Sequence, residues 1–434
     1  MSVLANAHVV TMDDAGTELA DGWIRVEDGV IAETGTGEPP KPGENLGGAV
    51  VTPALINTHH HLFQTLTRAR AQEADLFSWL KELYPVWGRI DAEAEHAAAS
   101  TGLAELALSG CGTVFDHHYV FPRGQDALIE AELEAAHELG VRLIASRGSM
   151  DLGESAGGLP PDSLVEERDA VLADTERLAA RYPGQIVAAP CSPFSVTRRL
   201  MEESAELARR LDLQLHTHLA ETVEEDEYCQ ELYGCRPVEY LEQLGWLAGD
   251  VWCAHCVHLD ERDIEAFAAS GTGVAHCPTS NLRLGAGVAP LRPLLDAGAR
   301  VGLGVDGSAS NERGDLLFDV KQALLVARGR DGPAAMTARE ALWLATRGSA
   351  AVLGRDDLGS IEPGRSADLA VWRVDGLELG GAADVVAGLV LSAPHRVDRL
   401  IVAGADVVRE GALVRSSEEE IARVQRKQAE RFAP

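Results

Sequence analysis

Eight short apolar runs rich in Val, Ile and Ala punctuate the middle of the chain, each stopping at a polar cluster: ALINTHHH, GTVFDHH, VRLIASRGSM, QIVAAPCSP, LQLHTHLAE, VWCAHCV, GVAHCPTSN and RVGLGVDGSAS. Between them lie stretches with helical periodicity and abundant Ala, Leu, Glu and Arg, among them AEAEHAAASTGLAELALSG, DALIEAELEAAHELG, DSLVEERDAVLADTERLAARY, SAELARRLD and ERDIEAFAAS. Several close on Gly, a helix stop. Strands apolar on both faces that alternate with helices predict a parallel (β/α)8 barrel of the TIM type rather than an antiparallel sandwich. The two ends read differently. Residues 1 to about 52 and about 358 to 413 alternate apolar and polar positions around Asp-Gly and similar turns, as hairpins do. They predict one small composite β-domain, with the barrel over 53–357 and an amphipathic helix from Ser417 to about Phe432 closing the 358–434 segment.

Composition narrows the setting. The 434 residues are 46% hydrophobic and 24% charged, the balance of a globular protein with a large core. No run approaches the about 18 to 20 apolar residues of a membrane span, and the N-terminus lacks the flank and core of a signal peptide. A formal charge of −30 disfavours nucleic-acid partners, which need Lys and Arg against phosphate. A small, neutral substrate and no membrane partner are expected. Seven scattered cysteines argue against a disulfide framework and for a reducing cytoplasm.

The chemistry collects where strands end. His59 and His61 follow the first run, His117 and His118 the second, His216 and His218 the fifth, His255 the sixth, His276 the seventh and Asp306 the eighth. In a barrel of this kind the C-terminal strand ends form the active rim. On a strand, His59 and His61 share one face and His60 takes the other. Any single histidine is explained by a buried carbonyl contact, but packing gives no reason to select imidazole at strand end after strand end. Three nitrogens and one carboxylate suit zinc or iron; magnesium and calcium favour oxygen cages. Spacing leaves His216 and His218 equivalent, since they share a face. Cys253-Ala-His-Cys256 is not read as a metal site, because positions i and i+3 of a strand face opposite ways.

Taken together, H-x-H at His59 and His61, THLAE with His218 and Glu221, AHC with His255 and GVDGSASN with Asp306 resemble the metal-dependent amidohydrolase superfamily, in its cytosine/guanine deaminase and triazine hydrolase branch. NTHHHLFQTLTRA, WLKELYPVW, DHHYVFP, APCSPFSV and the ADLAV segment extend the similarity over nearly the whole chain. The resemblance implies His59, His61, His218 and Asp306 as metal ligands, Glu221 as proton shuttle and His255 as the group polarising the substrate, with Asp306 also accepting a proton. It implies hydrolytic deamination of a purine-type heterocycle, with 8-oxoguanine giving urate and ammonia as the first expectation. Guanine, isoguanine, cytosine-like bases and s-triazines are the alternatives. Gln64, Trp79 and His118 are the expected substrate contacts. One divalent ion per chain, zinc before iron, is expected: two-metal relatives need a bridging lysine or equivalent carboxylate after the fourth strand, where this chain ends APCSPF. Homo-oligomers occur among such relatives. A non-catalytic metal-binding barrel is the reading from another class, and the presence of Glu221 and Asp306 argues against it.

Overall fold

In the computed structural model, which describes residues 1–377, 379–392 and 396–433, all eight runs are strands of one parallel sheet. They are Leu55–Asn57, Cys111–Asp116, Arg142–Ser149, Ile186–Pro190, Leu215–Leu219, Val251–His255, Gly273–His276 and Arg300–Leu303, each pairing with the next in sequence order. The sheet curls shut. Thr58 N–H donates to the Leu303 carbonyl at 3.0 Å and Asp306 N–H to the His59 carbonyl at 3.0 Å, so the first strand meets the eighth just past their ends.

The strands read as apolar runs because both faces are covered. Outward residues pack under the helices, and inward residues build a floor of Ile56, Phe115, Ile144, Val187, Ala189, Trp252, Ala254 and Ala275, plugged from below by Val352, Leu353 and Leu358. Alternation leaves the other end of the tube for polar side chains. The helices follow the periodicity, with one shift: the helix expected within 162–182 begins at Arg168. Upstream, Glu166 is drawn to the Arg147 guanidinium at 2.7 Å, and Leu164 is buried.

Both chain ends build one nine-stranded sheet. Val50–Pro53 pairs antiparallel with Leu369–Trp372, joining the N-terminal strands to the C-terminal ones. Asp28 and Gly29 take φ of +49° and +79°, both positive as a two-residue type I′ hairpin requires. The terminal helix, Glu418–Glu430, starts at its Ser417 cap and lies on the helix Ala92–Leu108, where Gln428 donates to Glu93 at 2.7 Å. No helix among the described residues is long and apolar enough to cross a membrane.

Candidate metal centre and active site

Three strand ends and the turn after the eighth strand bring His59, His61, His218, His255 and Asp306 together at the open mouth of the barrel, all buried. The hydrogen bonds around the rings fix which nitrogens face inward. His61 Nδ1–H donates to the His117 carbonyl at 2.7 Å, and His218 Nδ1–H to the Cys191 carbonyl at 2.7 Å. Each therefore turns its Nε2 lone pair to the centre, where the two Nε2 atoms are 3.1 Å apart. His216 Nδ1–H donates to the Trp252 carbonyl at 3.0 Å, so its Nε2 accepts from His59 Nδ1–H at 3.0 Å. The Nε2 of His59 then has no hydrogen-bond partner and faces Asp306 Oδ1 at 3.4 Å; His61 Nε2 is 3.3 Å from the same oxygen.

Three lone pairs and a carboxylate oxygen pointing at one another repel unless a cation lies between them. A proton does not serve, because burial lowers the pKa of His59, and that of His61 and His218 well below the ordinary histidine value. Burial opposes ionisation of Asp306 as well, but its contacts with His59, then His255 and His61, hold it well below the usual carboxylate range. Neutral imidazoles with an ionised carboxylate are the donor set of a transition-metal site. The geometry also separates the two fifth-strand histidines. His216 uses both nitrogens, behind His59, and His218 presents a free one. His117 joins the cluster, its ring stacked on His218 at 4.7 Å and its Nε2–H on the Ala189 carbonyl at 2.9 Å.

The carboxylate of Asp306 is aimed by its surroundings. Its Oδ2 accepts from Ser280 Oγ at 2.6 Å and its Oδ1 from the Gly307 N–H at 2.7 Å. Asp306 and His255 hold φ of +65° and +70°, left-handed conformations that cost about 1–3 kcal/mol each and cluster at functional sites. Beside them, His255 Nε2 lies 3.5 Å from Glu221 Oε2 and 3.9 Å from Asp306 Oδ2, and its Nδ1–H donates to Asn281 Oδ1 at 2.9 Å. Burial lowers the His255 pKa, but Glu221, Asp306 and Asn281 outweigh it and the net shift is upward. Burial pushes Glu221 up to about 7. Its backbone is pinned from below, the Glu225 carboxylate accepting from the N–H groups of Ala220 at 2.9 Å and Glu221 at 3.0 Å.

A cavity opens onto this cluster, with Gln64, Trp79, Tyr84, Tyr119 and Phe194 in its wall. Gln64 Oε1, Trp79 Nε1 and Tyr84 Oη are buried without a partner, an acceptor and donors left for a ligand. Gly307 makes room for the Gln64 amide: a Cβ there would lie 2.0 Å from Oε1.

Gln64 and Trp79 are thus brought to the cavity. His118 is not, which corrects the expectation placed on it. Phe115 and His117 point into the tube, and alternation turns Asp116 and His118 outward, where His118 Nδ1 meets Glu132 at 2.8 Å. His258 is spent on the Ala286 carbonyl at 2.9 Å. His276 is buried with neither ring nitrogen bonded and is absent from the cavity wall. Sequence patterning does not single out Tyr84, Tyr119, Ser280 or Asn281 as active groups.

Comparison with known proteins agrees with this geometry. Residues 50–405 match the model of the amidohydrolase family. The chain is 48% identical to the 8-oxoguanine deaminase of Pseudomonas aeruginosa over 91% of each protein, and 40% identical to an isoxanthopterin deaminase from an unknown prokaryote over 81% of this chain and 80% of that one. Among solved structures, an atrazine chlorohydrolase from Arthrobacter aurescens complexed with zinc superposes with a TM-score of 0.93 at 35% identity, covering 99% of this chain and 100% of that one. The barrel, its composite β-domain and the histidine-lined mouth are those of an enzyme, and the chain belongs to the amidohydrolase family.

Proposed function

We propose that this protein is a hydrolytic deaminase of an oxidised purine, converting 8-oxoguanine and water to urate and ammonia with one zinc ion per chain. The observation that carries the reading is the Glu221–His255 pair set beside the convergent Nε2 atoms of His59, His61 and His218 and the carboxylate of Asp306. The 48% identity to an 8-oxoguanine deaminase supports the substrate, and the zinc complex of the chlorohydrolase supports the metal. His59, His61, His218 and Asp306 are the ligands. Those residues would hold a divalent ion, which would supply an acidified water as nucleophile near neutral pH.

The remaining work belongs to the side chains. Asp306 takes a proton from the attacking water through its Oδ2. Glu221, whose pKa near 7 leaves a protonated fraction at neutrality, delivers its proton from Oε2 to the ring nitrogen next to the amine-bearing carbon. Left as a carboxylate, it then takes the proton remaining on the added hydroxyl and passes it to the amine, which departs as neutral ammonia as the carbonyl forms, and the proton held by Asp306 restores Glu221. His255, whose pKa Glu221, Asp306 and the Asn281 oxygen raise against the lowering effect of burial, stabilises the oxygen that gains charge as water adds. Gln64 gives and takes hydrogen bonds at a carbonyl and ring N–H edge, and Trp79 and Tyr84 offer an indole N–H and a phenol to the remaining polar edge. A cytoplasmic setting fits seven cysteines that are all buried and unpaired.

The test is ammonia release by zinc-loaded protein across purines, pyrimidines and s-triazines. Turnover greatest with 8-oxoguanine is expected. Release of chloride or alkylamine from triazines, with no purine turned over, would replace the purine reading with a triazine hydrolase.

A further inference from the structure

A second cluster of ionisable groups, unused by the reaction, lies outside the barrel wall. Glu95 comes from the helix Ala92–Leu108, Glu132 from the helix Leu128–Leu139, and Asp116 and His118 from the end of the second barrel strand. All four side chains are fully buried, at 0% exposure. His118 Nε2–H donates to the Val120 carbonyl at 2.9 Å. That bond turns Nδ1 towards Glu132 Oε1 at 2.8 Å and Glu95 Oε2 at 3.7 Å.

The cluster is short of positive charge. Both oxygens of Glu95, both of Glu132 and Oδ2 of Asp116 lack a well-formed hydrogen bond. His60, also fully buried, is turned the same way by alternation along the histidine run, with Nδ1 4.0 Å from Asp116 Oδ1 and neither ring nitrogen partnered. Arg68, whose charge reaches His60, is committed to Glu105 by bonds of 2.8 and 2.6 Å. A protonated His118 alone would leave three carboxylates in apolar surroundings with one counter-charge, and buried charges without partners are strongly disfavoured.

We infer that Glu95, His118 and Glu132 form a second cation site, separate from the one at the barrel mouth, which takes a divalent transition ion such as zinc or manganese as a structural element. One ligand atom from each of the three lies within 4.8 Å of the others, and bonds of about 2.0–2.2 Å draw such atoms only modestly closer. With Nε2–H on the Val120 carbonyl, Nδ1 is the lone pair a metal requires, and that outer hydrogen bond orients the ring. One imidazole and two carboxylates make an oxygen-rich set, compatible with manganese as well as zinc, whereas the nitrogen-rich mouth favours zinc or iron. Bound there, the ion would tie two helices to the strand whose next inward residue, His117, lines the mouth.

The deciding experiment is anomalous diffraction from crystals of the zinc-loaded, desalted full-length protein, together with elemental analysis of the same sample. Two ions per chain are expected, with one peak at the mouth and one between Glu95, His118 and Glu132. In E132Q the second peak should vanish and the stoichiometry fall from two to one, while the mouth peak stays. One ion per chain in the unaltered protein, with density only at the mouth, would overturn the site and leave the cluster held together by protons. The unaltered protein decides even if E132Q does not fold.

Discussion

The inner and outer clusters share the ends of the first two barrel strands, where their residues differ by one in register. His59 and His61 look into the tube and His60 looks out; His117 looks in, Asp116 and His118 look out. Burial acts on both sides with opposite results. Inside, where imidazoles outnumber carboxylates, it lowers His61 and His218 and keeps their Nε2 lone pairs free for an ion. Outside, where carboxylates dominate, it raises Asp116 to about 8 and Glu132 well above the usual range, while Glu95 and Glu132 outweigh burial at His118 and raise it. The lesson is that desolvation disfavours charge whichever its sign: without an ion the inner cluster presents lone pairs and the outer one holds protons, which a cation taken up there would displace.

The sharpest way to break this comparison is to delete neighbours in the run. His61→Asn should lose the mouth ion and all measurable turnover, whereas His60→Asn should retain that ion; equal loss of mouth metal from both would refute the division of faces. Next in size, Glu221→Gln should keep the metal and lower kcat by about 10²- to 10⁴-fold, the usual contribution of a positioned acid, as steady-state kinetics with elemental analysis will show. The pH profile sharpens the same point. With the protonated form of Glu221 as the proposed donor and burial raising it to about 7, kcat/KM should fall as pH rises through about 7. That limb should disappear in Glu221→Gln, and a profile unchanged by the substitution would remove Glu221 from the acid role.

Smaller effects test the supports. Asn281→Ala removes the acceptor that orients His255 and should cost about 10- to 100-fold in turnover, the range seen for groups that position a functional histidine. Gln64→Leu should weaken kcat/KM for the purine by about tenfold, the equivalent of one neutral hydrogen bond, with the metal content unchanged.

Much of this was legible in the sequence for physical reasons. Strands covered on both faces must be apolar throughout, so eight runs ending in polar residues announced both the barrel and the location of its mouth. The spacing of His59 and His61 carried their common direction. His118 is a substrate contact only on the resemblance, whereas carrying the alternation on from Phe115 turns it outward. Spacing leaves His216 and His218 equivalent and only the resemblance selects His218; the physical reason, that His59 Nδ1–H needs an acceptor behind it, lies in a contact spanning 157 residues. Asn281, Ser280 and Tyr84 owe their positions to turns and helices whose approach to the mouth no local pattern encodes. The helix beginning at Arg168 likewise reflects a tertiary pull on the residues before it.

The bond from Asp306 N–H to the His59 carbonyl falls where the tube is sewn shut, and the residues at the two ends of that stitch are also two of the proposed metal ligands. Grip on the ion and integrity of the seam are therefore one property. A substitution far down the first or eighth strand that lets the seam slip would register first as weakened metal retention, before any loss of secondary structure.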